Sequence, residues 1–128
     1  MDVLLVEDER LVRESAAALL RDDGLAVVEA ACAEEALALA ETAPGGPPAV
    51  LVTDLHLGPG MGGLALGDEA LRRWPGVGVV YATGHPGSLD GRLLRPRERY
   101  VVKPFTRAAL LGAVRRLMPV RVLGFSLQ

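Results

Sequence analysis

Cysteine, lysine and aromatic residues are scarce in this 128-residue sequence. What the sequence lacks excludes several classes of protein and several kinds of site. The single cysteine, Cys32, excludes a disulfide framework and a cysteine-ligated zinc site. No apolar run approaches the roughly 18 residues of a membrane-spanning helix. The net charge is only −2, which argues against a protein that coats nucleic acid or anionic lipid. Acidic residues interrupt the first apolar stretch, unlike a signal peptide, so we expect a cytoplasmic location without membrane or nucleic-acid partners.

The residues that are present favour one well-packed domain. Half of them are hydrophobic, which supplies a sizeable core and argues against disorder. A domain of this length has a radius of gyration of roughly 14 Å, enough for one sheet covered by helices. Among 14 basic residues only Lys103 is a lysine. In such an arginine-rich chain, a lone lysine suggests a position that needs a compact ammonium.

Short apolar runs alternate with amphipathic stretches along the chain. The runs are short and rich in valine or leucine, as is typical of buried parallel strands, and lie at 3–6, 26–28, 50–53, 77–82 and 100–102. Helical spacing of apolar residues predicts helices at 10–21, 33–43, 64–74 and 106–118. Prolines and glycines interrupt residues 84–99, so a fourth helix there should be short or irregular. This alternation predicts an α/β fold with a parallel sheet and helices on both faces.

Polar residues directly follow four of the predicted strands: Glu7, Asp8 and Glu9 after the first, Asp54 after the third, Thr83 after the fourth, and Lys103 with Pro104 after the fifth. In parallel sheets of this kind, ligands bind at the carboxyl ends of the strands. Clustered carboxylates repel one another, and an oxygen-ligated Mg²⁺ would relieve that repulsion. Lys103 would then bind a phosphate, with Thr83 donating to another phosphoryl oxygen. A carboxylate beside the metal could be a nucleophile that forms an aspartyl phosphate.

Four motifs, at 3–9, 52–54, 81–84 and 100–105, resemble the receiver domain of bacterial two-component response regulators. The resemblance covers residues 2–118, so we assign 1–118 to a receiver domain and 119–128 to a C-terminal tail. It implies a flavodoxin-like, doubly wound five-stranded sheet of order 2-1-3-4-5. It also implies a phosphorelay signalling domain rather than an enzyme with turnover, although one that phosphorylates and dephosphorylates itself.

The resemblance implies a role for each residue at the strand ends. Asp54 would accept a phosphoryl group from a sensor histidine kinase or a phosphotransfer protein. Asp8, Asp54 and the backbone carbonyl of His56 would ligate Mg²⁺, or Mn²⁺ in its place, with Glu7 assisting through water.

The same resemblance implies a switch that a downstream protein partner recognises. Lys103, oriented by a cis bond to Pro104, would pair with the phosphoryl group. Thr83 would move to bind a phosphoryl oxygen, and Tyr100 would swing inward behind it. The added charge and acceptor oxygens of a phosphoryl group can recruit a hydroxyl and its loop in this way.

The sequence departs from the usual receiver pattern in two places. The loop after Asp54 is one residue longer than usual, with Gly62 where aspartate is common, so we expect it to be more mobile. The interrupted stretch 84–99 and the Tyr-Ala-Thr-Gly motif at 81–84 resemble an atypical subgroup with a Phe-Ala-Thr-Gly motif. A dimer that depends on a regular fourth helix is therefore in doubt.

Several alternatives stay open from sequence alone. The chain could be a phosphorylation-independent interaction scaffold, a metal-dependent phosphatase on the same fold, or a receiver cut from a larger regulator or hybrid kinase. Four arginines, Arg92, Arg95, Arg97 and Arg99, suggest a solvated face or a docking surface for an acidic partner. Residues 120–125 fit an added edge strand, a partner-binding segment or a frayed terminus.

Overall fold

A computed structural model describes residues 1–89 and 91–119, together with the backbone of 121–122 and 125–126. Its five-stranded sheet has the order β2-β1-β3-β4-β5, and every pair of neighbouring strands is parallel. The strands are β1 Val3–Val6, β2 Val27–Ala30, β3 Val50–Asp54, β4 Gly78–Thr83 and β5 Glu98–Val102. The predicted flavodoxin-like topology is confirmed.

Two strands, β2 and β5, extend two residues beyond the apolar runs that predicted them. β2 continues through Glu29, whose carboxylate lies 3.0 Å from Nη1 of Arg21 on the neighbouring helix. β5 begins two residues earlier than predicted, because Glu98 enters the strand as a buried residue. In both strands the additional charged residue, Glu29 or Glu98, is paired with an arginine. The ion pair allows the strand to include a residue that lies outside the apolar run.

Helices cover both faces of the sheet. α1 Arg10–Asp22 and α4 Arg107–Leu117 pack on one face, and α2 Ala33–Thr42 and α3 Gly63–Arg73 pack on the other. The hydroxyl oxygen of Thr106 caps α4 by accepting from the Ala109 N–H at 3.1 Å. Cys32 occupies the N-cap position of α2 and makes no side-chain capping bond.

The interval between β4 and β5 has little helical structure. Its described helical content is one short 3₁₀ helix, Pro86–Leu89. This confirms the prediction of a short or irregular fourth helix. In the described part of this crossover, no α-helix covers the face of β5 that lies opposite α4.

The tail contains two short strands. β6 Arg121–Val122 and β7 Phe125–Ser126 pair antiparallel with each other in a sheet of their own. The idea that the tail adds an edge strand to the main sheet is therefore wrong for these residues. Within the described part of the chain, no helix has the length and apolarity to cross a membrane.

Candidate functional site

Strand register brings the predicted site residues to one edge of the sheet. Val6 of β1 lies opposite Thr53 of β3, so Glu7 and Asp54 both follow at this edge. Thr83 of β4 lies opposite Val102 of β5, immediately before Lys103.

Lys103 follows the edge strand β5 and contacts acids at the ends of the inner strands β1 and β3. Its Nζ donates hydrogen bonds to Oε1 of Glu7 at 2.6 Å and to Oδ2 of Asp54 at 2.8 Å. Its backbone N–H donates to the carbonyl oxygen of Thr83 at 2.8 Å, and its peptide bond to Pro104 is cis. One ammonium thus neutralises parts of two carboxylates that would otherwise repel each other.

The Asp54 carboxylate is partly buried, and each of its two oxygens accepts a hydrogen bond. Its second oxygen, Oδ1, accepts from the His56 N–H at 3.1 Å. Burial acts to raise the pKa of Asp54, but the hydrogen bonds from Lys103 and His56 outweigh it and hold the pKa below its ordinary value. Asp54 is therefore ionised at neutral pH, as a carboxylate nucleophile must be.

Glu7 is the most buried of the three neighbouring acids Glu7, Asp8 and Asp54. The residue is 3% exposed, and its buried Oε2 has no hydrogen-bond partner among the residues that the structure describes. Burial raises the pKa of Glu7 to about 7, although the hydrogen bond and charge of Lys103 act to lower it. Its backbone carbonyl accepts from Nη1 of Arg13 on α1 at 2.8 Å. Glu7 thus carries an unsatisfied oxygen inside the site, which a cation or its water ligands would satisfy.

The carboxylates fit a hard divalent cation. One oxygen from each of Glu7, Asp8 and Asp54 lies within 4.8 Å of the other two. An all-carboxylate set matches Mg²⁺, which binds through one or two carboxylates and keeps several waters. The buried, unpartnered Oε2 of Glu7 supports the same fit.

Thr83 and Tyr100 lie on the neighbouring strands β4 and β5, and within the described part of the chain neither hydroxyl is hydrogen-bonded to Asp54. Thr83 is buried, and its hydroxyl oxygen accepts from the His85 N–H at 2.9 Å. Tyr100 is 51% exposed on β5 and pairs in register with Tyr81 on β4. The structure therefore has Tyr100 in an outward position. The ring centroids of His56 and His85 lie 6.1 Å apart, edge to face.

The loop between β3 and α3 is better anchored than its sequence suggests. The Gly63 N–H donates to the Leu55 carbonyl at 2.9 Å, which closes the base of the loop. Leu57 is buried in the core, and the Met61 N–H donates to Oε2 of Glu34 on α2 at 3.0 Å. The expected greater mobility rested on the extra residue and on Gly62 in place of aspartate, and these three contacts oppose it.

The sequence did not predict a buried ionic network centred on Glu98, at the end of β5 opposite Lys103. The Glu98 side chain is fully buried and accepts hydrogen bonds from the Tyr81 hydroxyl and from the backbone N–H and Nε of Arg95. Burial acts to raise its pKa, but the bonds from Arg95 and Tyr81 outweigh it and lower the pKa to about 2. Arg92 and Arg95 also contact Asp68 of α3. The network ties the segment before β5 to α3 in the region that lacks a regular helix.

All four arginines of this stretch make hydrogen bonds within the chain, so they are not a purely solvated face. Arg92 and Arg95 belong to the Glu98 network. Nη2 of Arg97 donates to the Leu117 carbonyl at 2.7 Å, and Nη1 of Arg99 donates to the Pro96 carbonyl at 2.9 Å. The spacing of Arg95 and Glu98, three residues apart, was the sequence signal for a local ion pair, but the burial of Glu98 depends on β4.

The comparisons with known proteins agree with this geometry. A family model described as "Response regulator receiver domain" matches residues 3–115. This chain belongs to the response regulator receiver domain family. Receiver domains are signalling domains of two-component systems, not classical enzymes, and interact with histidine kinases or phosphotransfer proteins. They generally bind Mg²⁺ at an acidic pocket.

Individual relatives are transcriptional regulators and receivers. The receiver is 34% identical over 118 residues to the transcriptional regulatory protein FixJ of Azorhizobium caulinodans, covering 90% of this chain and 54% of the relative. It is 38% identical over 120 residues to the transcriptional regulatory protein AruR of Pseudomonas aeruginosa, covering 91% of this chain and 48% of that protein. The chain thus spans about half the length of these two relatives. The solved receiver domain of the hybrid histidine kinase CckA is 32% identical, with a TM-score of 0.75, over 91% of this chain and 98% of that one.

Proposed function

We propose that this receiver accepts a phosphoryl group on Asp54, in a reaction that depends on Mg²⁺, and passes the signal to a protein partner. The phosphoryl donor is a sensor histidine kinase or a phosphotransfer protein. The observation that carries the proposal is Lys103 Nζ, which hydrogen-bonds to both Asp54 and Glu7 beside the acidic cluster.

The transfer is a displacement at phosphorus. A carboxylate oxygen of Asp54 forms a bond to the phosphorus atom, the bond from phosphorus to the donor's imidazole nitrogen breaks, and that nitrogen keeps the electron pair. Asp54 is ionised and needs no general base. Lys103 is already beside Oδ2, where it can pair with the incoming phosphoryl oxygens.

The clustered acids would hold the metal. Asp8, Asp54 and the backbone carbonyl of His56 would ligate Mg²⁺ or Mn²⁺, and Glu7 would take part through water. When bound, the cation neutralises charge that develops on the phosphoryl oxygens. The His56 N–H, bonded to Oδ1 of Asp54, keeps the start of the loop beside that carboxylate.

The switch uses Thr83 and Tyr100. The Thr83 hydroxyl turns to donate to a phosphoryl oxygen, and the half-exposed Tyr100 ring moves inward behind it. Shifting such a switch from about 1% to about 99% occupancy needs about 5.5 kcal/mol of differential interaction. A few charge-assisted hydrogen bonds to the phosphoryl group supply energy of that order.

An apolar groove beside the pocket supports docking of a protein phosphodonor. It has a volume of about 560 Å³ and lies between the first half of α1 and the residues that follow β5. Leu11, Val12 and Phe105 line it, and Lys103 lies at the same surface. Leu11 is 72% exposed, so an apolar partner helix that covered it would bury hydrophobic surface within reach of Asp54.

The test is covalent modification by a small phosphodonor. Acetyl phosphate with Mg²⁺ should add the mass of one phosphoryl group to the intact protein, and chelation of the metal with EDTA should prevent it. Asp54→Asn should abolish the adduct, whereas Asp68→Asn, which changes an aspartate outside the pocket, should not. If the wild-type protein gains no adduct at millimolar donor and metal, the proposal is wrong and the phosphorylation-independent scaffold is favoured.

A further inference from the structure

We propose that Glu34 on α2 is a positioning residue that holds the β3–α3 loop against the acidic cluster and so sets the affinity of the pocket for Mg²⁺. The inference rests on the proposed function, because it concerns how the same pocket is assembled. Glu34 does not lie directly at the end of a strand, and it belongs neither to the four motifs nor to the acidic cluster of Glu7, Asp8 and Asp54.

The loop needs an anchor because of its composition. It runs from Leu55 to Gly62 and contains three glycines, and Gly58 and Gly60 have φ angles of +74° and +93°. Glycine loses more conformational entropy on ordering than any other residue. A single arrangement of this loop therefore depends on contacts from outside it.

Glu34 supplies such a contact at the tip of the loop. Its Oε2 accepts from the Met61 N–H at 3.0 Å. A β-carbon on Gly60 would lie 3.1 Å from Oε2 of the same carboxylate, so the Gly60 backbone passes close to Glu34. Glu34 thus contacts two consecutive residues that are 26 and 27 positions away, and joins α2 to the loop.

The other side of the same loop borders the pocket. A β-carbon on Gly58 would lie 3.6 Å from Oδ2 of Asp8, so the loop backbone passes close to this carboxylate. Two residues earlier, the His56 N–H is bonded to Asp54. Glu34 therefore holds a segment whose backbone borders two of the three clustered acids and carries the carbonyl of His56.

The consequence is an effect on metal affinity and not on the chemical step. Releasing the tip would let the segment from His56 to Gly60 sample other arrangements, so fewer molecules would present a complete set of ligands. Losing residues that orient metal ligands typically costs about tenfold or more in affinity. Once the metal is bound, Asp54 and Lys103 are unchanged, and the maximal rate of phosphorylation should be unchanged too.

The experiment is a Mg²⁺ titration of the full chain by isothermal calorimetry, with the rate of phosphorylation by acetyl phosphate measured over the same Mg²⁺ range. Glu34→Ala should raise the Kd for Mg²⁺ about tenfold and should leave the rate at saturating Mg²⁺ unchanged. Glu34→Gln should stay near wild type, because its amide oxygen still accepts from the Met61 N–H. Glu35→Ala is the matched control, since Glu35 is an exposed acid in the same helical turn.

Each outcome decides the inference. A wild-type Kd for Glu34→Ala would overturn it, and an equal loss in Glu34→Ala and Glu35→Ala would assign the effect to general charge. A loss in Glu34→Gln as large as in Glu34→Ala would also overturn it, because the hydrogen bond would then not be the cause. If wild type neither binds Mg²⁺ nor becomes phosphorylated, the proposed function itself fails. If wild type does both while Glu34→Ala matches it, only the role of Glu34 fails.

Discussion

The ammonium of Lys103 lies 2.8 Å from Oδ2 of Asp54 and 2.6 Å from Oε1 of Glu7, so one cation holds two carboxylates from different strands. The contact spans 49 residues to Asp54 and 96 to Glu7. It makes Lys103 important both for the stability of this edge of the sheet and for the proposed chemistry.

Replacing Lys103 should therefore affect the whole pocket. In Lys103→Met the two carboxylates lose their common partner, and we expect a loss of about 1–3 kcal/mol in unfolding free energy because hydrogen-bonded buried groups lose their donor. The pKa of Glu7 should rise further, since Lys103 acts to lower it. Urea unfolding and an NMR titration of the Glu7 carboxyl carbon would measure the two effects.

Lys103→Arg distinguishes charge from shape. The guanidinium of arginine keeps the positive charge of the lysine ammonium but is larger and planar. The two groups are therefore not interchangeable at a compact site. We expect near-normal stability but impaired phosphorylation by acetyl phosphate. Arg116→Met, which removes an exposed cation on α4, is the control and should change neither measurement.

Acid should destabilise the protein partly through Glu98. Its pKa is about 2 in the folded state against 4.5 in the absence of interactions, so the unfolded state binds the proton more tightly. Its contribution is therefore present above about pH 4.5 and is lost as the pH falls toward 2. The shift corresponds to about 3 kcal/mol at neutral pH.

Glu98→Gln should remove this pH dependence. Urea unfolding at pH 7 and at pH 3 should show a smaller difference for the variant than for wild type. Glu14→Gln, at an exposed position on α1, should keep the wild-type difference. Equal pH dependence in wild type and Glu98→Gln would contradict the role of the buried carboxylate.

Gly67 on α3 makes room for the same network. A β-carbon at this position would lie 2.1 Å from the Tyr81 hydroxyl, which is bonded to Glu98. Gly67→Ala should therefore displace Tyr81 and destabilise the protein by about 1–3 kcal/mol, the usual cost of overpacking. Thermal unfolding would measure this loss.

Gly112 on α4 is the matched control for Gly67. It is also a helical glycine, but a β-carbon there would have nothing within 4 Å. Gly112→Ala should stabilise the protein by up to about 1 kcal/mol through helix propensity. If the two alanine variants behaved alike, the crowding at Tyr81 would not be important.

Tyr100 should become protected when the phosphoryl group is present. The chain has two tyrosines, of which Tyr81 is buried and Tyr100 is 51% exposed. Photochemically induced nuclear polarisation should therefore give one tyrosine signal, absent in Tyr100→Phe. Adding beryllofluoride with Mg²⁺, a mimic of the phosphoryl group, should weaken it. An unchanged signal with beryllofluoride bound would exclude Tyr100 from the switch.

Sequence alone was sufficient for the sheet and for the edge where the site lies. Val3–Val6 and Val50–Asp54 are apolar runs that end in acids, and the parallel arrangement brings the carboxyl ends of such strands together. Asp54, Asp8, Thr83 and Lys103 could therefore be chosen without coordinates. The prolines and glycines of residues 84–99 also predicted the weak fourth helix, because both residue types act on the local backbone.

Tertiary structure decided the contacts that join distant segments. Glu98 is buried only because Tyr81 and Arg95 meet it there, and the pairing with Tyr81 joins two strands. Glu34 accepts a hydrogen bond from Met61, which is 27 residues away. Hydrophobic periodicity predicted the helix that carries Glu34, but it did not predict which residue the side chain contacts. Hydrogen bonds between such positions depend on the packing of whole elements. The strand-end motifs were therefore determined by the sequence itself, whereas the loop anchor and the buried ionic network arose only when the helices packed on the sheet.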